Sequence, residues 1–504
     1  MANAVSDSAP THSAAPTERI DIVGRRPIAW WPVGLIAAAS TLLLLITASR
    51  YDYHRDELYF RMLGAHPQWG YADQPPFTPL LGRLGIEIFG DTVWAMRVPF
   101  AIILGLTVVL TAMIAREAGG GQTAQTIAAA GVISVFPLTA AHVGSTAAPD
   151  LLVWLGVIFF VMRALLHGRD RAWLAAGVTA GLGLYNKHLV VLLLAALAAG
   201  LLIAGPRHVF RSRWLWAGVA AAALVGLPNL IYQVVSGFPQ ADMAAAIAEN
   251  KGGESRAMLL PFQLVLLILP PVWMAGLVTA FRDRRLRCLA LAYPILLILV
   301  LVTAGQPYYP LGLLLALFAI GAVPVERWMA GRRWRLIAVG ASIPVFAMLS
   351  IVSSLPVIPE DDLGGSFVAS ANTTVADQIG WRDYVWQIGT VYAGLSATDQ
   401  SRTVLFTGNY GEAGALDRYG RALGLPEVYS GHNELHNYGP PPDGKTVVLA
   451  VMQAAPPRQF GDCEDKVRLT NSAGVENEEL DAQVYVCRLI EPWSRIWPSV
   501  QHYD

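Results

Sequence analysis

Charge is what this 504-residue chain has least of: Asp, Glu, Lys and Arg make up 14% of it, against 54% hydrophobic residues. A soluble domain carries about a quarter charged residues. A string of ordinary globular domains is therefore excluded, and an integral membrane protein remains, in line with a mean hydropathy of +0.44. Charge of one sign is absent as well. Basic and acidic residues number 36 and 37, for a net charge of −1. No Lys/Arg run outside the short breaks between apolar stretches resembles a polyanion-binding patch, which excludes nucleic acid as a partner. Lysine is scarce, with Lys187, Lys251, Lys445 and Lys466 the whole supply, so Arg carries nearly all the positive charge. Cysteine is scarcer: Cys288 lies in an apolar stretch, Cys463 and Cys487 in the polar C-terminal region. That pair is either a disulfide or two buried thiols, depending on the side of the membrane it occupies.

What the chain does have is a series of long apolar runs. Residues 1–27, rich in Ala, Ser, Thr and Pro, read as a disordered cytoplasmic tail. The apolar stretch that follows is too long for a signal peptide. A first span at 28–48, preceded by Arg25 and Arg26, starts in the cytoplasm by the positive-inside rule. Further spans are expected at 92–115, 124–143, 150–166, 214–235, 258–280, 288–304, 308–325 and 336–356. The stretch 172–205 is too long for one span and carries Asn186, Lys187 and His188 at its middle, so it reads as two short helices. The count is about eleven over residues 28–356. Arg clusters near 163–171, 207–213, 282–287 and 327–335 then fall on the cytoplasmic side. The breaks at 51–91, 142–150, 236–257 and 304–307 lie outside, with residues 357–504. That last region alternates β-prone runs (403–407, 446–452, 483–489) with helical stretches (376–391, 412–423), the pattern of a small extracytoplasmic α/β domain.

The densest chemistry follows the first span, in the outer loop 50–91. Asp56 and Glu57 are adjacent acids, and Leu58, Tyr59, Met62 and Leu63 after them keep helical spacing. A short amphipathic helix along the membrane surface is expected, with both acids in its first turn, where the helix dipole favours anions. A carboxylate there can take a proton from an acceptor hydroxyl; plain N-terminal capping explains the pair equally well. Asp73 sits in a loop stiffened by Pro75 and Pro76, where it can orient a substrate, help hold a hard divalent cation, or cap its own turn. Arg97, Lys251 and Arg256 are candidates to offset a phosphate leaving group, with snorkelling the other reading for Arg97. Asp150 starts a span and is either a cap or a ligand. Lys187 and His188 lie between apolar helices, where ionisable groups mark a functional site unless they reach an interface. Tyr308 and Tyr309, flanked by Pro307 and Pro310, form an aromatic belt or part of a sugar pocket.

This order of spans, with an acid pair after the first, resembles the GT-C superfamily of lipid-phosphosugar glycosyltransferases. The motifs Arg55-Asp56-Glu57-Leu58-Tyr59, Gly70-Tyr71-Ala72-Asp73-Gln74-Pro75-Pro76, Arg97-Val98-Pro99, Gly181 to His188, Pro228-Asn229-Leu230 and Gly237-Phe238-Pro239 look like the family 39 protein mannosyltransferases and the related aminoarabinose lipid A transferases. The run from Thr407 to Leu416 is similar to bacterial members with an extracytoplasmic tail. The resemblance implies an α-helical polytopic enzyme of the bacterial plasma membrane. It implies Asp56 as catalytic base, with Glu57 and Asp73 as supporting or metal-associated carboxylates. Asp150 is a further metal candidate, for Mg or Mn. Lys187 matches a recurrent family lysine. The implied partners are a polyprenyl-phosphate-linked sugar, an envelope glycan, lipid or protein acceptor, and membrane lipids. One departure stands out: Gln74 replaces the Lys that the aminoarabinose transferases typically have before the double Pro, so that phosphate contact is absent or moved. The rival class is a transporter or lipid flippase, for which two related halves and broken helices would be expected.

Overall fold

The computed structural model describes residues 26–503; nearly all of the tail expected over 1–27 lies outside the described residues. From its start the chain forms α1 (Trp30–Thr47), then two helices before the next apolar run, α2 (Arg55–Ala65) and α3 (Phe77–Phe89). There follow α4 (Val93–Glu117), the pair α5 (Gln122–Gly131) and α6 (Val135–His142), α7 (Ala147–His167), α8 (Ala172–Gly183), α9 (Leu189–Ala204) and α10 (Arg213–Val235). The series ends with α11 (Pro239–Val265), α12 (Pro270–Arg282), α13 (Arg287–Thr303), α14 (Leu311–Met329) and α15 (Arg333–Ser354). By length and composition, six of these can cross a membrane: α1, α4, α7, α10, α14 and α15. The number is eight if the pairs α5/α6, bent by 59°, and α11/α12, bent by 95°, are each one span. The expected eleven also counts α8, α9 and α13, of 12, 16 and 17 residues, which rise only about 18–26 Å against a hydrocarbon core of about 30 Å.

The helices meet where side chains are absent. A Cβ on Gly276 of α12 would land 1.8 Å from the Leu317 carbonyl oxygen of α14, and one on Gly177 of α8 would land 1.9 Å from that of Gly218 in α10. Backbone contact of this kind is the usual basis of helix packing in lipid.

Two stretches expected as loops are helical. Pro75 and Pro76 do stiffen the chain, but α3 begins directly after them, as Pro at a helix start allows. Its Phe77, Leu80, Leu84 and Ile88 are exposed on one face, so α3 offers the apolar stripe that a membrane surface would cover. The helix expected to lie there, α2, is instead buried along Leu58, Tyr59, Phe60 and Leu63. Residues 236–257, expected as an outer loop, belong mostly to α11: Gly237 and Phe238 take left-handed conformations and Pro239 opens the helix.

Beyond α15 the short turns α16 (Glu360–Leu363), α17 (Phe367–Ala371) and α18 (Thr373–Ala376) lead to α19 (Trp381–Ala393) and α20 (Ala397–Arg402). A five-stranded sheet follows in the order β2-β1-β3-β5-β4. It is built from β1 (Thr403–Thr407), β2 (Val428–Ser430), β3 (Val447–Met452), β4 (Asp462–Arg468) and β5 (Gln483–Arg488), with α21 (Tyr410–Tyr419) crossing from β1 to β2. The β2-β1-β3 part is parallel, and β5 and β4 are antiparallel additions. Three strands lie where the β-prone runs are. Cys463 and Cys487 are register partners on β4 and β5, and their sulfurs are bonded.

This sheet region sits on the segment between α1 and α4. A Cβ on Gly414 of α21 would come within 2.8–2.9 Å of the Leu58 backbone, so α21 lies directly on α2. The Trp381 indole N–H donates to the Tyr53 carbonyl at 2.8 Å.

Candidate active site

The site is organised by the first turn of α2. His54 is the N-cap: its Nδ1 accepts from the Asp56 backbone N–H at 3.2 Å, while its own N–H donates to Glu57 Oε2 at 2.8 Å. This is a capping box, which draws the third helical residue back toward the cap. Glu57 is consequently turned inward and fully buried. There it meets Arg97 of α4 in a two-pronged pair, Nε to Oε1 at 2.8 Å and Nη2 to Oε2 at 2.6 Å. Arg97 also donates to the carbonyls of Ala48 (2.6 Å) and Asp52 (2.9 Å) and to Gln378 Oε1 (3.1 Å), with His142 Nε2 at 3.2 Å. Arg97 is 2% exposed, with its guanidinium engaged on several sides, and Glu57 has both carboxylate oxygens engaged. The pair ties α1, α2, α4 and the α18–α19 connection together.

Asp56 faces the other way. About 35% of its side chain is exposed, and Oδ1 accepts from the Tyr410 hydroxyl of α21 at 2.8 Å. The Tyr410 ring stacks on Tyr59 with centroids 4.7 Å apart and lies under the Arg55 guanidinium at 4.9 Å. Tyr59 in turn donates to Asp73 Oδ1 at 2.8 Å. Asp56 and Asp73 are thus each held by a phenol, and the phenols are stacked on one another. Burial pushes the Asp73 carboxyl up to about 7, with the Tyr59 hydrogen bond opposing and the charges of Glu434 and Asp56 adding to the rise. The loop carrying Asp73 is gripped from the sheet region, where Glu434 accepts from the Ala72 N–H (2.8 Å) and from Gln68 Nε2 (2.9 Å). Behind Asp56, Arg55 pairs with Glu478 and approaches Glu479 at 4.0 Å. Burial pushes Glu412 and Glu479 each up to about 8, with Arg55 opposing in both.

A second cluster lies among the helices. Lys187, Asp150, Tyr308, Tyr309 and Phe136 line one small cavity. The Lys187 Nζ is 3.3 Å from the Tyr308 hydroxyl, and 5.4 and 5.2 Å from the ring centres of Tyr308 and Tyr309. Asp150 Oδ1 is buried with no hydrogen-bond partner among the described residues. The Lys187 turn is stitched to α3: Thr78 donates to Asn186 (2.7 Å), and Phe77 N–H donates to the Tyr185 carbonyl (2.8 Å). His188 Nε2 is 2.8 Å from Asn229 Oδ1, and the Asn229 amide donates to the Trp69 carbonyl at 2.8 Å. His188 is thereby a tie between elements and lies outside the cavity lining. Lys251 and Arg256 are exposed on α11, and neither lines the Lys187 cavity; Arg256 donates instead to the Leu301 carbonyl.

Among the described residues no group of three His, Cys, Asp or Glu side chains is placed to hold a metal ion. Glu57, Asp73 and Asp150 go to three settings, with Arg97, Tyr59 and the Lys187 cavity respectively, so the metal set expected from the sequence does not assemble. The residues that sequence reasoning missed are Tyr410, Tyr59 as a hydrogen-bond donor, and Glu434. The capping box Asn409-Tyr410-Gly411-Glu412, which seats Tyr410 at the start of α21, was the one local signal for them.

ArnT from Cupriavidus metallidurans shares the fold: the apo structure aligns with TM-score 0.61 at 14% identity, covering 95% of this chain and 100% of that one. The structure bound to undecaprenyl phosphate aligns with TM-score 0.58 at 16% identity, over 92% and 99%. Residues 73–232 match the family described as dolichyl-phosphate-mannose-protein mannosyltransferase. The undecaprenyl phosphate-α-4-amino-4-deoxy-L-arabinose arabinosyl transferase 2 of Pseudomonas fluorescens is 29% identical over 135 residues, 26% of this chain and 23% of that protein. The corresponding transferase of Pseudomonas savastanoi is 28% identical over 122 residues, 23% of each. The chain thus spans about a quarter of the length of the curated relatives it matches. Its fold is the one seen in ArnT.

Proposed function

We propose that the chain is a membrane glycosyltransferase moving a sugar from a polyprenyl-phosphate donor to an envelope acceptor, with inversion and with Asp56 as general base. The observation that carries this reading is the setting of Asp56. Its Oδ1 is steadied by Tyr410, its Oδ2 takes no hydrogen bond among the described residues, and the side chain is open to an incoming group. An acceptor hydroxyl gives its proton to that carboxylate as its oxygen attacks the anomeric carbon from the face opposite the phosphate. The bond from the anomeric carbon to the phosphate oxygen breaks, and its electron pair leaves with the lipid phosphate. Lys187, braced by Tyr308 and Tyr309, is the cation suited to that charge, in surroundings where a fixed charge acts strongly. No step is assigned to a divalent cation.

Undecaprenyl phosphate bound to ArnT supports a lipid-phosphate donor for this chain. The Arg-rich breaks support a cytoplasmic N-terminus, with α8, α9 and α13 completing eleven spans and Asp56 facing outward. The α/β region, docked on α2, then lies outside too, where its disulfide would persist. The test is purified protein in liposomes with a panel of radiolabelled polyprenyl-phosphate sugars and envelope extract. Asp56→Asn is expected to lower transfer by about 10²–10⁴-fold, the contribution of a general base; transfer at the wild-type rate overturns the assignment. The transporter or flippase reading draws on the two bent helix pairs, and movement of the labelled lipid across the bilayer with no loss of label from it would favour that reading.

A further inference from the structure

A cavity of about 630 Å³ opens between the segment after α1 and the α/β region, within the range of about 300–1,000 Å³ in which small-molecule sites fall. None of the catalytic, binding or metal candidates named from the sequence lines it. Three guanidinium groups, Arg50, Arg382 and Arg418, face three carboxylates, Asp52, Glu360 and Asp383. A cleft that collects polyanions or cations is lined by one sign of charge, and this one is balanced. Charged walls also make it a poor seat for an acyl chain. What suits it is a neutral ligand with many donors and acceptors and an apolar face.

The lining is arranged for such a ligand. The Arg382 guanidinium lies 5.1 Å from the centre of the Tyr419 ring and 3.3 Å from Asp52 Oδ2, yet 76% of the side chain is exposed: it is held in place without being sealed. Trp94 gives its indole N–H to the Leu45 carbonyl at 3.1 Å and keeps part of its ring open. Hydroxyls of Ser49, Thr92 and Ser472 complete the rim. Asp52 is four residues before Asp56, at most about 14 Å along the chain, so a ligand seated here is within reach of the proposed base. The cavity also touches the end of α1 and the start of α4, where both helices leave the apolar bundle.

We propose that this cleft binds a neutral saccharide, the sugar chain of the acceptor flanking the hydroxyl to be glycosylated. The inference rests on the transferase reading and adds the acceptor's chemical class. It is tested with full-length protein in detergent and fluorescently labelled short oligosaccharides, neutral and sulfated, by equilibrium binding, with acceptor KM measured in parallel. Neutral oligosaccharides are expected to bind, and Arg382→Ala and Glu360→Gln are each expected to weaken binding roughly ten-fold, the effect of losing one charge-assisted hydrogen bond. Failure of folded protein to bind any neutral oligosaccharide, or tighter binding of the sulfated ones, overturns the proposal. Turnover with an unchanged acceptor KM in both variants overturns the cleft and leaves the transferase reading standing. Binding lost in both variants without turnover of any donor supports the cleft and overturns the transferase reading.

Discussion

The knot around Arg97 and the seam between α2 and α21 share the same first turn of α2, yet they are built on opposite terms. In the knot, Glu57 and Arg97 are almost wholly out of water, and Arg97 spends its donors on groups from four parts of the chain. In the seam, Asp56 keeps a single phenol hydrogen bond and an open side. The capping box separates them: the acid at the third helical position is recruited by the cap, and its neighbour, about 100° round the helix, is left facing outward. Two adjacent acids in a sequence therefore need not be a catalytic pair. One can be the bolt that holds the other in place.

The sharpest way to break this contrast is to remove one side of the knot. Arg97→Met leaves Glu57 buried without its cation and is expected to cost about 3–5 kcal/mol, read as a large drop in thermal midpoint in detergent and in folded yield. Lys187→Gln should do the reverse, lowering transfer by about 10²–10³-fold with little change in the melting curve. Tyr410→Phe sharpens the contrast from the seam itself. Losing one hydrogen bond to a charged group should cost roughly ten-fold in transfer, with the α2–α21 packing kept.

The contrast also carries a pH dependence. Burial raises the folded-state values of Glu412 and Glu479 to about 8, above the ordinary carboxylate value of about 4.3. The folded protein then binds more protons than the unfolded chain between those limits, so this contribution to stability is full below the ordinary value and is lost as pH rises toward 8. Thermal midpoints measured from pH 5 to pH 8 should fall, and Glu479→Gln should flatten the fall. A profile that rises over this interval and is unaffected by the variant would contradict this.

The helices were legible because apolar length is a local property, and the acid pair was legible because it breaks that pattern. What stayed hidden was pairing over distance. Glu57 and Arg97 are 40 residues apart, and Tyr410 is 354 residues from Asp56; neither relation leaves a trace in periodicity. Other misses have local causes. The double Pro before α3 looks like a stiff loop until it is read as the entry to a helix. Asp242, Glu249 and Lys251 interrupt the apolar reading of α11. Strand β4, Asp-Cys-Glu-Asp-Lys-Val-Arg, is charged along most of its length because it is a solvent-facing edge, so β-propensity does not reveal it. Asp150, Lys187, Tyr308 and Tyr309 were each visible as isolated oddities, and only the fold gathers them around one cavity.

The division of labour between the two acids is tested most directly by comparing Asp56→Asn and Glu57→Gln side by side, with sugar transfer from polyprenyl-phosphate donors and thermal unfolding measured on the same preparations. Asp56→Asn should melt as the wild type does and lose transfer, whereas Glu57→Gln should lose folded protein first and activity only in proportion. Transfer retained by Asp56→Asn, or a stable Glu57→Gln protein that has lost transfer, would contradict the assignment and move the base to Glu57.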